Sequence, residues 1–362
     1  MNTYAVYFRP RGALATWPLA SDTLFGAVCW AIRVLGLLDD KALTDWLEDQ
    51  RLQPRFAFTH AFPAYLLKDK RVRFYPRPLI FQPTFGDFFD VTAELQWEKK
   101  CTKKAAQIEI VRIGKTFKKV AYVSEEVLSH IVAGDLKPID GLRALAFPNK
   151  LYVETNRSLC TGQEAKILPT NLYVTEAVQH NQIDRMAGAT VEGMLFYREE
   201  TFFAQDAGLW AILKAEPTDV ERYIRSALNY LADSGFGADR TAGKGHFDIW
   251  LEDFTLPFNP PEAQAMLTLS HYLPQEGEVN LQSEPLAYAL KTLRPRREQK
   301  YPRPLAAGQA SSPVYKQSVQ VFEPGSVFAL QTQKEIYGQL VRLTPTNEEP
   351  VYQSGAAVMV MM

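Results

Sequence analysis

Cysteine is scarce in this chain. Cys29, Cys101 and Cys160 are the three present, and no two form a CxxC pair. That excludes a disulfide framework and a cysteine zinc site, and it favours a reducing, cytoplasmic setting. Histidine is limited to His60, His130, His180, His246 and His271, none in HExxH or HxxxH spacing. The sequence therefore calls for no metal and no cofactor. The nucleophile elbow GxSxG is missing too, and no pair of carboxylates has a spacing that demands acid–base chemistry. No apolar run reaches membrane-spanning length. The C-terminal Ala356–Met362 is apolar but short and reads as a terminal strand. Met1–Arg9 does not have the layout of a signal peptide. Net charge is −1, so a site for a polyanion has to come from local clustering.

Aromatic and aliphatic residues are not scarce. At 46% hydrophobic and 12% aromatic, the chain has the means to bury a sizeable core. Its most informative stretch is Gly235-Phe-Gly-Ala-Asp-Arg-Thr-Ala-Gly-Lys-Gly245. Glycine lets the backbone take positive φ and approach a ligand closely. Successive N–H groups in such a turn form an anion cradle, and Arg240 and Lys244 add charge suited to phosphate. A nucleotide-triphosphate loop is excluded. Five residues, not four, separate Gly237 from Gly243, and Gly245 stands where a P-loop places Ser or Thr. The dinucleotide fingerprint follows a strand and opens a helix; this loop follows a helix and opens a strand. A Gly-rich connection that binds nothing remains an equal reading. His246 reads equally as a strand-opening residue and as one that stacks on a base or donates to a phosphate. General-acid chemistry would need a partner the sequence does not supply.

Periodicity outlines the rest. Thr3–Phe8 alternates as a first strand. Ser21-Asp-Thr offers an N-cap, and Leu24, Phe25, Val28, Ile32 and Leu35 then fall at helical spacing. A short helix is expected over Lys41–Glu48, extended irregular loops between Pro54 and Pro83, and strands at Ile108–Ile113 and Ala121–Val123. Helical spacing returns at Glu125–Val132. Leu172–Ala177, Leu195–Phe203 and Trp210–Ala215 read as strands. Thr218 is expected to cap an amphipathic helix that runs to the Gly loop, and Phe247–Leu251 reads as the closing strand. The order β-α-β-β-α-β is ferredoxin-like. The expected organisation is α+β: a first domain over 1–257 with insertions at about 54–205, a boundary at Phe258-Asn-Pro-Pro261, and a smaller α+β domain over 262–362. Two segments are strongly cationic. Lys99–Lys119 sets eight cations against Glu109, and Lys291–Arg303 sets six against Glu298. Each alone reads as a solvated face. With the Gly loop they point toward a polyanion.

These residues resemble the RAMP superfamily of CRISPR-associated proteins. More narrowly, they resemble the subunit that caps the guide-RNA 5′ end in type III-A (Csm) effector complexes. The resemblance rests on Ser21–Cys29, on Asn181-Gln-Ile-Asp-Arg-Met-Ala-Gly188 with Glu199–Phe203, on the Gly loop, and on Phe322–Phe328 with Pro350-Val-Tyr352. It implies two ferredoxin-like domains, the second degenerate. It also implies a non-catalytic role in antiviral defence, anchoring the guide-RNA 5′ handle and linking a large polymerase-like subunit to a backbone RAMP subunit. The implied RNA-binding residues are Ser21, Thr23, His180, Asn181, Arg185, Gly237, Arg240, Gly243, Lys244, Gly245 and His246, with Phe236 weighed between base stacking and core. On the residues alone Ser21 and Thr23 read first as an ordinary cap, and Arg185 reads also as an ion-pair partner of Asp184 or a nearby acid. Two departures stand out. Leu293-Arg-Pro-Arg-Arg297 replaces the family's Arg-Gly-Trp-like segment, and Met-Ala-Gly replaces the commoner Thr-Gly. The family's RNA-cutting backbone subunits use an Asp before the first helix, whereas Gly12–Ala20 has no acid. The alternatives are a guide-processing endoribonuclease of the same superfamily, with His60 or His246 as candidates, and a protein scaffold that touches no RNA.

Overall fold

The computed structural model describes residues 1–362 except 16, 69, 148–150, 155–156, 182, 185, 191–192, 194, 259, 261, 296–314 and 346–349. Strand β1 (Asn2–Pro10) is buried continuously from Tyr4 to Phe8, as a central strand covered on both faces must be. Helix α1 (Ser21–Val34) buries Leu24, Phe25, Val28 and Ile32, the stripe expected from their spacing. Its cap differs from expectation. Ala20 is the N-cap and makes no side-chain bond; Ser21 is the first helical residue and its hydroxyl is engaged elsewhere. Helix α2 (Asp40–Asp49) is capped by Asp39.

The segment expected as irregular loops is instead sheet: β2 (Phe56–Phe58), β3 (Phe62–Tyr65) and β4 (Val72–Pro76). Its proline and aromatic content hid strands whose apolar side chains are buried. Helices α3 (Phe85–Glu98) and α4 (Lys103–Lys119) follow. The Ile108–Ile113 strand is thus overturned. Ala106, Ile110, Ile113 and Phe117 are buried at helical spacing, and their packing against the neighbouring helices outweighs the β preference of a short branched run. Next come β5 (Tyr122–Ser124), α5 (Glu125–Val132), α6 (Pro138–Ala146), β6 (Leu151–Glu154), β7 (Ser158–Thr161) and α7 (Gly162–Ala165).

A long hairpin is built from β8 (Tyr173–His180) and β11 (Phe196–Phe203), with the short pair β9 (Ile183–Asp184) and β10 (Ala189–Thr190) at its tip. Strand β12 (Ala207–Ala215) returns to the sheet beside β1. Thr218 lies inside the short helix α8 (Pro217–Asp219) and does not cap it; Glu216 holds that position, and Pro217 starts the helix with a preset φ. A π turn over Val220–Ile224 leads into α9 (Arg225–Ser234). The Gly loop and β13 (Phe247–Asp253) follow. The main sheet runs β13-β1-β12-β3-β4-β5-β7-β6, with β2 also paired to β12.

From residue 262 onward the described residues form strands and no helix, where a mixed α+β unit was expected. They are β14 (Ala265–Thr268), β15 (Leu290–Leu293), β16 (Val319–Phe322), β17 (Val327–Ala329), β18 (Leu340–Arg342), β19 (Tyr352–Ser354) and β20 (Met359–Met361). They build a small core of their own, in which Met266, Tyr272, Phe322, Phe328, Tyr337 and Met359 pack together, and they also join the larger one. Leu267, Leu269, Val327 and Val358 share one cluster with Tyr7, Trp210 and Ile212 of the main sheet. Among the described residues no helix is long and apolar enough to cross a membrane, and no group of three or more His, Cys, Asp or Glu is arranged to hold a metal.

Candidate nucleic-acid interface

Three segments far apart in sequence meet at the Gly loop. The loop leaves α9 at Gly235, whose φ is +68°. Gly237, Asp239, Gly243 and Gly245 also take positive φ. A Cβ on Gly245 would lie 2.2 Å from the Phe236 carbonyl oxygen, so glycine is required there sterically as well as torsionally. Phe236 and Gly245 close the neck of the loop through an N–H···O bond of 3.0 Å. The second segment is the stretch before α1. The Arg11 amide donates to the His246 carbonyl at 2.9 Å, and Leu14 exchanges both backbone bonds with Thr201 of β11. Leu14, Ala15, Leu19, Phe236, Gly237 and Ala238 line a cavity of about 10 Å³ between this stretch and the loop. That is room for one water.

The third segment is the hairpin, and charge ties it to the loop. Glu200 of β11 has a side chain only 2% exposed. Lys244 of the Gly loop donates to its Oε2, and His180 Nε2 lies 2.8 Å from its Oε1. Burial opposes the charge on Glu200, but the bonds from Lys244 and His180 hold its carboxyl below the ordinary glutamate value. A second tie joins Arg198 of β11 to Asp239 of the loop. Arg198 also covers the Phe196 ring at 5.1 Å, and His180 stacks on that ring from 5.5 Å at 13°. The hairpin therefore presents a charged, aromatic face beside the loop. Tyr197, Ile183 and Met186 are exposed farther along it.

Placement of the sequence-derived residues follows. Gly237, Gly243 and Thr23 are exposed, and Arg240 is half-buried at the rim. His246 folds back, its Nε2 3.4 Å from the Arg240 carbonyl oxygen and its ring against Gly235. Lys244 is committed to Glu200. His180 is half-buried beneath the hairpin face. Asn181 is exposed at the hairpin tip and donates to Thr190 Oγ1 at 3.1 Å. Arg185 lies outside the described residues. Its sequence neighbour Asp184 accepts from the Met186 amide at 2.8 Å and the Ala187 amide at 3.4 Å. Phe236 is core, 4% exposed, packed on Phe8 and Phe247. Ser21 is 4% exposed, and its Oγ accepts from the His271 amide at 3.0 Å. No role for Arg198 or Asp239 is legible in the sequence, and Glu200 stands there only within the Glu199–Phe203 resemblance. The available signal was i, i+2 spacing: Arg198 and Glu200 share one face of a strand.

The N-terminus of α1 is bolted to the C-terminal strands. Asp22 Oδ1 lies 2.9 Å from His271 Nδ1, and Gln353 Nε2 donates to Oδ2 at 2.8 Å. Burial would raise the Asp22 carboxyl, but His271 and Gln353 bring it down to about 2. His60 Nδ1 accepts from the Ser21 amide at 3.2 Å. Burial and the nearby His271 and Lys291 hold His60 well below its ordinary value, which keeps it neutral. The His271 Nε2 has no partner among the described residues.

Comparison with known proteins matches this geometry to one family of folds. No family model matches the chain. The CRISPR system Cms protein Csm4 of Thermococcus onnurineus (strain NA1) is 26% identical over 107 residues, 30% of this chain and 35% of that protein. The aligned segment thus spans about a third of that relative. A chain of the Csm3–Csm4 subcomplex from a type III-A CRISPR-Cas interference complex superposes with a TM-score of 0.61 at 12% identity, covering 100% of this chain and 99% of that one. A chain of a Csm1–Csm4 cassette in complex with cA4 gives 0.56 at 16% identity, covering 100% and 98%. Csm4 is the component common to all three. The resemblance read from the sequence is borne out at the level of the fold: along its whole length this chain is similar to chains of Csm4-containing complexes.

Proposed function

We propose that this chain is a non-catalytic, RNA-binding subunit of a type III-A CRISPR effector complex, holding the 5′ handle of the guide RNA and joining the large polymerase-like subunit to the backbone RAMP subunit. The observation that carries the reading is the full-length likeness to chains solved in Csm1–Csm4 and Csm3–Csm4 assemblies. The convergence of the Gly loop, the stretch before α1 and the hairpin supports it. The sequence resemblance rests on two of these, the Gly loop and the hairpin segments Asn181–Gly188 and Glu199–Phe203, and Lys244 and Asp239 of the loop meet Glu200 and Arg198 of the hairpin. A ferredoxin-like first unit is supported by the strand order, with β1 flanked by β13 and β12 and the β2–β3 segment beyond β12. The C-terminal strands form the degenerate second unit.

In this reading RNA meets Thr23, Asn181, Arg185, Gly237, Arg240, Gly243 and His246, with the exposed aromatics of the hairpin as stacking surfaces. Lys244, Gly245 and His180 serve the RNA by fixing the loop against the hairpin, and Ser21 by seating α1. The endoribonuclease alternative is disfavoured by His60: its Nδ1 already accepts from Ser21 and it is 6% exposed, which leaves a scissile phosphate little access.

The test is co-expression with the two partner proteins and a guide-RNA array. The expected result is a complex that retains RNA carrying the 5′ handle and loses it at high salt. Recovery of the proteins with no dependence on guide RNA refutes the reading. Site-specific cleavage of precursor RNA by the isolated chain, lost in His60→Ala or His246→Ala, supports the nuclease instead.

A further inference from the structure

Helices α3 and α4 carry an apolar surface that nothing in the RNA-binding reading uses. Their inner faces pack together. Val91 and Leu95 face Ala106, Ile110 and Ile113 in one cluster, and a Cβ on Gly114 would lie 2.8 Å from the Phe88 ring, which fixes the register of the pair. The outer faces are not uniformly polar, as solvated helices should be. Phe85 is 79% exposed, Phe89 62%, Ile108 65% and Val111 57%. Phe85 and Phe89 lie one turn apart with ring centroids 4.8 Å apart and perpendicular. Exposed apolar residues scattered singly need no explanation, but a contiguous patch marks an interaction surface.

The charge on the α4 side of the patch is one-sided. Helix α4 carries Lys103, Lys104, Arg112, Lys115, Lys118 and Lys119 against Glu109 alone, and Glu109 is spent on Lys99 at 3.9 Å. Helix α3 is acidic: Asp87 closes the capping box with Thr84, Glu94 pairs with Arg143 of α6 at 2.7 Å, and the exposed Asp90 and Glu98 fall, by helical spacing, on faces away from the Phe85–Phe89 stripe. With Phe88 against Gly114, helical periodicity sets Phe85 and Phe89 along the same border as Val111, Lys115 and Lys118. That border is an apolar strip edged by cations.

We infer that the outer face of α3 and α4 docks an acidic amphipathic helix from another protein chain of the same assembly. Its apolar side covers Phe85, Phe89 and Val111, and its carboxylates meet Lys115 and Lys118. Nucleic acid fits less well. Ile108 and Val111 offer neither a π-face nor a hydrogen bond, and the perpendicular Phe85–Phe89 pair presents no open parallel platform. The inference rests on the assembly role proposed above.

The experiment is zero-length carbodiimide coupling of lysines to carboxylates in the complete assembly with guide RNA, read by mass spectrometry. Lys115 and Lys118 are expected to join Asp or Glu of a different protein. The double variant Phe89→Ser with Lys115→Glu is expected to keep the fold, since both residues are exposed, and to weaken that partner's binding by about 30-fold, the range of an interface anchor. Photocrosslinking of a probe at position 89 to RNA, or coupling of these lysines to a second copy of this chain, overturns the inference. So does an unaltered assembly with the double variant. A wild-type chain that recovers neither RNA nor partner proteins defeats the assembly role itself, and the docking assignment with it.

Discussion

Replacing Lys244 with methionine separates two meanings of the Gly loop. Lys244 donates to a carboxylate whose side chain is 2% exposed, while Lys244 itself is 19% exposed. A charge-assisted hydrogen bond of this kind contributes about 1.5–3 kcal/mol. Stranding a deeply buried charge costs about 3–5 kcal/mol, but His180 still contacts Glu200, so about 2 kcal/mol is the expected loss. That corresponds to roughly 30-fold faster exchange for loop amides that open with the tie. The amides of Phe236, Gly243 and Lys244, each bonded within the loop, are the reporters in native-state hydrogen exchange. Glu200→Gln is expected to cost a similar amount. The double variant is expected to cost about as much as either single change, giving a coupling of about 2 kcal/mol. If Lys244 instead grips phosphate directly, exchange is unchanged in Lys244→Met, and the slope of log affinity against log salt falls by roughly 0.7 for single-stranded RNA. That outcome refutes the structural tie.

Three further outcomes follow from the same physics. Gly245→Ala is expected to cost about 2–4 kcal/mol, from left-handed strain plus overlap with the Phe236 carbonyl, whereas Gly36→Ala, at φ +66° with nothing within 4 Å, is expected to cost about 1 kcal/mol; equal denaturant midpoints for the two refute this. Stability is expected to fall below about pH 6.5, because the unfolded chain takes up a proton that buried His60 refuses, at up to about 1.4 kcal/mol per pH unit; His60→Gln is expected to flatten that limb, and a thermal midpoint unchanged between pH 7 and 5 in the wild type contradicts it. A second acid limb belongs to carboxylates held low in the fold. Asp22, at about 2, and Glu200 contribute above the ordinary carboxylate range, and the contribution is lost as pH falls through their depressed values. Asp22→Asn is expected to lose about 1.5–3 kcal/mol at neutral pH and to reduce the acid limb; a pH profile parallel to wild type sinks the assignment.

Local signals decided much of this protein. The five buried residues of β1, the stripe on α1, the Glu125–Val132 helix and the helix–glycine–strand order around Gly235–Gly245 were all legible, because each follows from alternation, a 3.6-residue period or the freedom of glycine. The Gly loop's spacing also excluded a triphosphate site without any structure. What sequence misread was settled at a distance. Ile108–Ile113 has the branched residues of a strand, yet it is helical because Ala106, Ile110, Ile113 and Phe117 pack between α3 and α6. The Pro54–Pro83 stretch has loop composition, yet it supplies three strands because neighbouring strands offer their edges. Ser21 reads as a cap, but its hydroxyl meets a residue 250 positions away, which no window of sequence contains. Lys244 is the clearest case. Its type and its place in a Gly-rich turn are local facts; its partner, Glu200, was chosen by the fold, which buries one carboxylate between the loop's lysine and His180 of the hairpin.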